Sequence, residues 1–514
     1  YHAPFYFNRD AVWKTNMPTV QTDTTGCPCD SDWTPIQQLS TTGGSGAQMA
    51  TQGDSIVHLT WQYSINRTMK VPYARSSNFG ESFSTARDLI TDTSLIKAWG
   101  SHQRIVANEN YVFVFFVYRA ASGPLWMLRS SDKGETWSVP RKILFGDDST
   151  GFVDNVAACG DTLGIICTSV RLGVGKRILL TSTNSGDTWT VQKKKLPKGA
   201  SWNYRLAITP GILHLAYEKI ANGRYRGGET MYSRSLNVGR SWRTSKLLST
   251  AEGYSSIGPD ISASKNGDVI VMWRDGKYGS YNGFGASVIY RQSRDKGKSW
   301  NKEQVLSKIP EGSWPQSPST RTLSAEFEQG KPIGFTWAVD TAYSTYKVKV
   351  RVSLNGGETF CDVTTITPDA EYAGGSTIMI TRKRILVAWA DDGLIGYDEI
   401  YFRSAPVVNT VKKQNNKVLK SKNVALAEAF PNPANPTTTL SFNIGNSSVV
   451  TVKVYNVVGE EVAILMNNAS LNKGNHEMKF DASSLSSGIY YYRIFVQTDD
   501  GESMMSVKKL VLLK

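Results

Sequence analysis

Long apolar runs are missing from these 514 residues. The longest, Tyr111–Tyr118, has eight residues, less than half of what a membrane-crossing helix needs, so it reads as a buried strand. Cysteine is scarce as well. Five (Cys27, Cys29, Cys159, Cys167, Cys361) are too few and too scattered to staple a chain this long, which leaves the hydrophobic core to carry the fold. Cys27 and Cys29 offer two readings, a metal half-site or a local bridge. No second Cys or His pair completes a ligand set, so neither a metal nor another cofactor is expected. No charged-then-apolar leader follows Tyr1, and any export signal is expected to have been removed before this numbering begins. No nucleic-acid module is recognisable, and nucleic acid is not an expected partner.

What is present points one way. Hydrophobic residues at 40%, charged at 20% and aromatic at 11% exclude a disordered, collagen-like or coiled-coil chain. Forty-four Gly against 19 Pro, among abundant Thr, Ser, Val and Tyr, favour many short strands joined by tight turns, an all-β fold. The net charge is +14 and unevenly placed. Residues 406–423 hold five Lys and no acid, and residues 424–514 hold seven basic and eight acidic side chains, which leaves +10 on residues 1–405. Such a surface concentrates anionic partners, acidic glycans or envelope lipopolysaccharide among them.

One pattern recurs six times: Ser-x-Asp/Asn-x-Gly-x-Ser/Thr-Trp/Phe, at Ser76–Phe83, Ser130–Trp137, Ser182–Trp189, Ser235–Trp242, Ser293–Trp300 and Ser353–Phe360. Its chemistry is that of a turn. The acid or amide (Asn78, Asp132, Asn184, Asn237, Asp295, Asn355) accepts from backbone N–H groups, and Gly80, Gly134, Gly186, Gly239, Gly297 and Gly357 supply a positive φ. The ring (Trp137, Trp189, Trp242 and Trp300 in four copies) is expected to tuck between neighbouring sheets. The glycines lie 54, 52, 53, 58 and 60 residues apart, room for four strands per repeat, with the turn joining the third strand to a fourth such as Trp137–Leu144. After the sixth copy, residues 376–381, 385–389 and 399–403 read as three strands without a fourth, and Asp32–Leu39 reads as a fourth without its first three. Each half lacks what the other has. The expectation is a seven-bladed β-propeller closed by its N-terminal strand, with six blades the alternative.

The pattern resembles the Asp-box, or BNR, repeat of the sialidase-like propellers, and the resemblance spans roughly residues 20–405. It implies that the boxes hold blades together on one face while any ligand site lies on the other. On that other face the loops entering the first strands run through Trp99–Arg104, Phe152–Asp154, Trp202–Arg205, Tyr254–Asp260, Trp314–Arg321 and Tyr372–Ser376. Arginines Arg104, Arg205 and Arg321 alternate with Asp154 and Asp260. Guanidinium forks suit a carboxylate. Sialidases hold their substrate's carboxylate with three arginines, the first in Arg-Ile-Pro. The nearest match here is Arg104-Ile105-Val106, without the proline, and Tyr204-Arg205-Leu206 is a weaker echo. An acid/base Asp and a Tyr–Glu pair, sought in Asp154 or Asp260, Glu218 and Tyr343, have no local pattern. Three readings follow: structural salt bridges around the axis, a binding surface with Trp99, Trp202, Trp314 and Tyr254 as an aromatic rim, or an exo-acting sialidase-type hydrolase. The segment Arg274–Gly285 is expected to be a long loop adding Tyr278, Tyr281 and Phe284 to that rim.

Residues 406–423 read as a basic linker, and residues 424–514 show seven or so alternating strands, a small Ig-like β-sandwich. Pro431-Asn432-Pro433, then Tyr455, Gly459 and Val462, then Leu485, Gly488, Tyr490, Tyr492 and Arg493, and a basic-apolar end from Lys508 resemble the type A sorting domain of the type IX secretion system. That resemblance implies the type IX machinery as a partner, export across the outer membrane of a Gram-negative bacterium, and release or surface attachment. The composite expectation is a secreted or cell-surface propeller that binds an extracellular, anionic glycan or protein through its loop face.

Overall fold

The computed structural model describes residues 19–514 except 54, 66–67, 92–102, 118–123, 144–149, 170–175, 193–195, 198–202, 221–227, 251–255, 282–283, 309–331, 341–345, 368–372, 392–398, 408–423, 427–428, 457–459 and 499–502. The chain divides into two compact units, Tyr1–Thr410 and Val411–Lys514. Among the described residues the only helical turn is the 3-10 turn Asp30–Asp32, and everything else regular is strand.

The first unit shows seven antiparallel sheets among its described residues. In sheet one, Ser45–Gln52, Ile56–Ile65, Pro72–Ser76 and Arg87–Asp88 lie side by side in chain order. Sheets two to five repeat that meander, and sheet six shows Ile333–Asp340, Tyr346–Ser353 and Thr364–Thr365. Each sheet buries both faces against its neighbours, which is why its central strands read as apolar runs rather than as alternation. Tyr73 and Val114 pack between sheets one and two, Phe115 and Ile165 between two and three, and Ile166 and Leu215 between three and four. Tyr232 and Trp273 follow between four and five, Tyr290 and Trp337 between five and six, and Val350 and Trp389 between six and seven. Leu386 and Trp61 join seven to one, and the ring closes as a β-propeller.

Closure uses the N-terminal segment as its pattern implied. Gln37 and Gln38 pair with Phe402 and Tyr401 on the outer edge of sheet seven, and Thr34 N and Leu39 N donate to Ser404 O (2.9 Å) and Ile400 O (2.7 Å). The regular strand is shorter than Asp32–Leu39. Most other fourth strands are equally short, Gln304–Lys308 of sheet five being the exception: among the described residues of Trp137–Leu144 the regular strand is Arg141–Lys142. Short outer strands leave little open ladder for another chain to extend.

The cysteine reading needs correction. Cys27 forms neither a metal half-site nor a bridge to Cys29; it is disulfide-bonded to Cys361, 334 residues away. Upstream of it the chain runs as a strap along the propeller's outer edge. Val20 N donates to Val305 O at 3.3 Å, Asp23 N to Phe360 O at 2.9 Å, and Phe360 N to Gln21 O at 2.9 Å. That register sets Cys27 beside Cys361, so one covalent bond does staple the ring.

All six turns share one geometry. In Ser130–Trp137 the Ser130 hydroxyl donates to Asp132 Oδ1 (2.8 Å) and accepts from Gly134 N (2.8 Å), while Thr136 N donates to Asp132 Oδ1 (2.9 Å). Not only the glycine is left-handed; the residue before it is too, with Phe79, Lys133, Ser185, Val238 and Lys296 at φ of 51–64°. The rings meet an aromatic of the preceding sheet: Phe83 on Phe402, Trp137 on Tyr73, Trp189 on Phe115, Trp300 on Tyr232 and Phe360 on Tyr290, at 4.8–5.9 Å between centroids. A second clamp was not read from the pattern. The residue before the box Ser is an arginine in three copies, and it reaches forward: Arg75 Nε donates to Lys133 O (2.7 Å), Arg129 Nη1 to Ser185 O (3.1 Å) and Arg234 Nη1 to Lys296 O (2.7 Å).

The glycine's second duty is clearance. A Cβ on Gly134, at φ 86°, would overlap the Tyr73 hydroxyl that is bonded to His58. Gly134→Ala should therefore cost about 1–2 kcal/mol for the left-handed backbone, and about 1–3 kcal/mol more for the overpacking. Gly160→Ala, also left-handed but with nothing within 4 Å of its Cβ, should cost the backbone part only. Urea midpoints of the two variants test this; equal losses would remove the clearance argument.

The second unit is a sandwich. A three-stranded sheet (Val424–Leu426, Thr437–Ile444, Gly474–Asp481) faces a four-stranded one (Glu461–Leu471, Ser448–Asn456, Gly488–Thr498, Ser503–Leu512) across Leu440, Phe442, Val452, Tyr492, Ile494 and Leu510.

Candidate functional site

Three of the six turns are seen hydrogen-bonded to the hairpin between the first and second strands of their own sheet. Phe79 N donates to Ser55 O, Ser185 N to Asp161 O and Lys296 N to Gly267 O. The beginnings of the first strands, where Arg104 and Arg205 stand, thus lie at the opposite end. These innermost strands, Ser45–Gln52, Arg104–Ala107, Thr150–Cys159, Tyr204–Thr209, Ser256–Ala263 and Ala373–Ile380 among them, surround an axial cavity of about 190 Å³. Four of them carry an irregularity in register near this end, at Ser45/Gln48, Val153/Asn155, Ile257/Asp260 and Gly374/Thr377. Such bulges re-aim side chains at barrel rims.

The structure brings together Arg104, Asp154, Arg205 and Asp260 at the cavity mouth. Arg104 is held by backbone carbonyls: Nη1 donates to Gln103 O (2.9 Å), and Nε and Nη2 to Asp154 O (3.4 and 3.3 Å). Among the described residues no carboxylate lies within 4 Å of it. Burial and then the neighbouring Arg205 charge lower its pKa to about 10, with Asp154 and Asp260 pulling the other way. Arg205 has its Nε 3.7 Å from Asp260 Oδ1 and donates Nη1 to Tyr204 O at 3.1 Å. Asp154 accepts from Thr168 Oγ1 (2.8 Å) and faces Arg177 Nε at 3.4 Å; burial still raises its pKa.

Glu218 accepts from Asn203 Nδ2 at 2.9 Å and from Gly258 N at 3.4 Å, and its charge acts on Arg274, whose pKa burial lowers to about 10. Arg321, Tyr343, Trp99, Trp202, Trp314 and Tyr254 lie outside the described residues. Arg274–Gly285 is not a loop. The backbone continues as the hairpin Val269–Tyr281 and Phe284–Ser293, with Tyr281 opposite Phe284.

Sequence reasoning missed three contributors. Arg177 and Arg274 sit on third and second strands, where no pattern of entry loops could reveal them. Gln48 is the third. It lines the cavity, is 5% exposed, and donates Nε2 to Ala47 O (2.9 Å), while its buried Oε1 has no partner among the described residues. The region of the mouth thus offers four guanidiniums (Arg104, Arg177, Arg205 and Arg274) against three carboxylates (Asp154, Asp260 and Glu218), with the Gln48 amide oxygen beside them, a set suited to an anionic group that also carries a hydroxyl. At the box end, a second space of about 190 Å³ is bounded by Asn108, Cys159 and the ion pair of Glu109 with Lys265 (2.6 Å).

Residues 428–512 match the model of the secretion system C-terminal sorting domain. Such a tail marks a secreted or cell-surface protein. No curated protein matches the chain. Among solved structures, a protein of unknown function from Dyadobacter fermentans is 13% identical, at a TM-score of 0.43, with 73% of this chain and 99% of that chain covered. A Hadza microbial sialidase is 15% identical at 0.40, covering 71% and 66%. An ulvan lyase is 11% identical at 0.46, covering 71% and 94%. None of them carries a function over to this chain.

Proposed function

We propose that this chain is a secreted or cell-surface glycan-binding protein, a seven-bladed Asp-box propeller that takes an acidic group at its axial mouth without catalysis. Three parts make up this reading: propeller through residue 405, basic linker 406–423, and a type IX export address in 424–514. The observation that carries it is Arg104, a guanidinium whose partners among the described residues are backbone carbonyls, beside a cavity and next to Arg205. A guanidinium in that state gains most from an anion that arrives with the ligand. Asp154 and Asp260 keep Thr168, Arg177 and Arg205 occupied, and Glu218 is engaged by Asn203.

The purified protein should be retained on an immobilised uronate polymer, be released by salt, and pass through a neutral dextran column. Changing Trp99, Trp202 and Trp314 together to Ala should reduce retention several-fold, since stacked rings carry much of a sugar contact. A fluorogenic sialoside should stay intact. Turnover that disappears in Arg104→Ala and Arg205→Ala would replace binding with glycoside hydrolysis.

A further inference from the structure

The sandwich unit has two outward faces, and they differ in kind. On the three-stranded sheet the outward side chains are polar: Thr439, Ser441, Asn443, Asn475, Glu477 and Lys479. On the four-stranded sheet they are not. Ile489, Tyr491 and Phe495 alternate outward along one strand and are 40, 40 and 39% exposed, and Ile464 on the edge strand is 51% exposed. The register aligns them into one patch. Tyr491 stands opposite both Tyr455 and Lys509, and Lys453 opposite both Ile464 and Arg493.

The patch is also basic. Arg493 lies 4.6 Å over the Tyr455 ring and donates to its hydroxyl, and Lys509 is exposed. Lys453 is matched by Glu461 at 2.8 Å, and among the described residues neither Arg493 nor Lys509 has an acid within 4 Å. The tail's motif residues build the patch. Tyr455 and Arg493 form its centre, and Asn432 of Pro431-Asn432-Pro433 fastens the strand bearing Lys509, donating Nδ2 to Lys509 O (3.1 Å) and accepting from Val511 N (2.8 Å). Four strands about 4.8 Å apart, over some eight or nine residues at about 3.4 Å each, give a whole sheet face of roughly 400–600 Å². That is under the ~800 Å² per partner of a stable association; its apolar part, Tyr455, Ile464, Ile489, Tyr491 and Phe495, is of the few-hundred-Å² kind that is often functional on a monomer.

We propose that this face is where the export apparatus reads the tail. Its occupant is a protein of that apparatus with carboxylates opposite Arg493 and Lys509 and apolar side chains opposite Tyr491 and Phe495, bound transiently. The proposal rests on the tail being an export address. Charge complementarity and the small area favour that occupant over a second copy of this chain, whose identical face would set cation against cation.

Four chains expressed in a host with the secretion system separate the claims: wild type; the face variant Tyr491→Ser/Phe495→Ser/Lys509→Glu; the polar-face variant Glu477→Lys/Lys479→Glu; and a truncation lacking residues 411–514. The truncation should stay in the periplasm. The face variant should reach the medium and surface at least tenfold less than wild type, and the polar-face variant within twofold of it. Lys509→Glu alone, at an exposed site that leaves the core intact, should cut export several-fold with an unchanged melting temperature. Normal export of both face variants alongside a retained truncation would overturn the face; export of the truncation would overturn the address itself. Dimers of purified wild type lost in Tyr491→Ser would assign the face to self-association instead.

Discussion

A chain that begins at residue 41 should melt far below the full-length protein. The strap it lacks fills the outer edge of sheet seven, buries Val20 (6% exposed) and Trp33 (5% exposed), and carries one half of the Cys27–Cys361 bond. Burying two large side chains contributes about 2 kcal/mol each. Closing a loop of 334 residues restricts the unfolded chain by about 6 kcal/mol in the chain-entropy account. The expected loss, on the order of 5 kcal/mol or more, rivals the whole stability of many domains. Cys27→Ser and reduction of the wild type should each reproduce the disulfide part, while Cys29→Ser, exposed and outside the bond, should change little. Thermal unfolding of the five samples decides it, and an unchanged midpoint for the truncated chain would sink closure by the N-terminal strand.

The second large effect is a loss of stability in mild acid. His58 and His214 are buried on the second strands of sheets one and four, each with Nδ1 2.7 Å from a tyrosine hydroxyl, Tyr73 and Tyr232. Burial, and then the charge of Arg75 or Arg234, lowers both pKa values to about 3. Unfolded, each would titrate near 6.5, so the unfolded state binds two protons that the native state refuses. Their contribution is fully present above pH 6.5 and is lost as pH falls towards 3. At pH 5 the difference is about 2 kcal/mol per histidine. Buried Asp154 and Asp275, whose pKa values burial raises, work the other way and offset part of the loss. Urea unfolding between pH 7 and 5 should therefore show falling stability, and a His58→Gln/His214→Gln variant should show a flatter slope whatever its absolute stability. Parallel slopes would contradict the assignment.

These two predictions differ in how far the sequence foretold them. The closing strand was legible because two incomplete sets of strands complement each other, and the six turns were legible because Ser, Asp or Asn, Gly and an aromatic each do a local job at fixed spacing. The disulfide was not. Nothing near Cys27 or Cys361 marks a partner 334 residues away, and only the parallel register of Thr22 with Phe360 brings the two together. The histidines were silent for the same reason, since their burial comes from a neighbouring sheet. At the axial mouth the alternation of Arg104, Asp154, Arg205 and Asp260 was visible, because entry to a first strand is a position that can be counted. Arg177, Arg274 and Gln48 reach the same region from positions that counting does not single out. The arginine before the box Ser was in plain view at Arg75, Arg129 and Arg234, and its role emerged only once the next sheet's turn stood beside it.

The central claim is that Arg104 receives an anionic group at the channel mouth. Calorimetric titration of a uronate oligosaccharide into wild type, Arg104→Ala and Gln48→Leu, at low and at physiological salt, tests it most directly. Wild type should bind, and more weakly in salt. Arg104→Ala should lose at least tenfold, since a hydrogen bond to a charged group is worth about 1.5–3 kcal/mol. Gln48→Leu should lose less and keep the salt dependence. Affinity unchanged in Arg104→Ala, or equal affinity for a neutral oligosaccharide, would contradict the account.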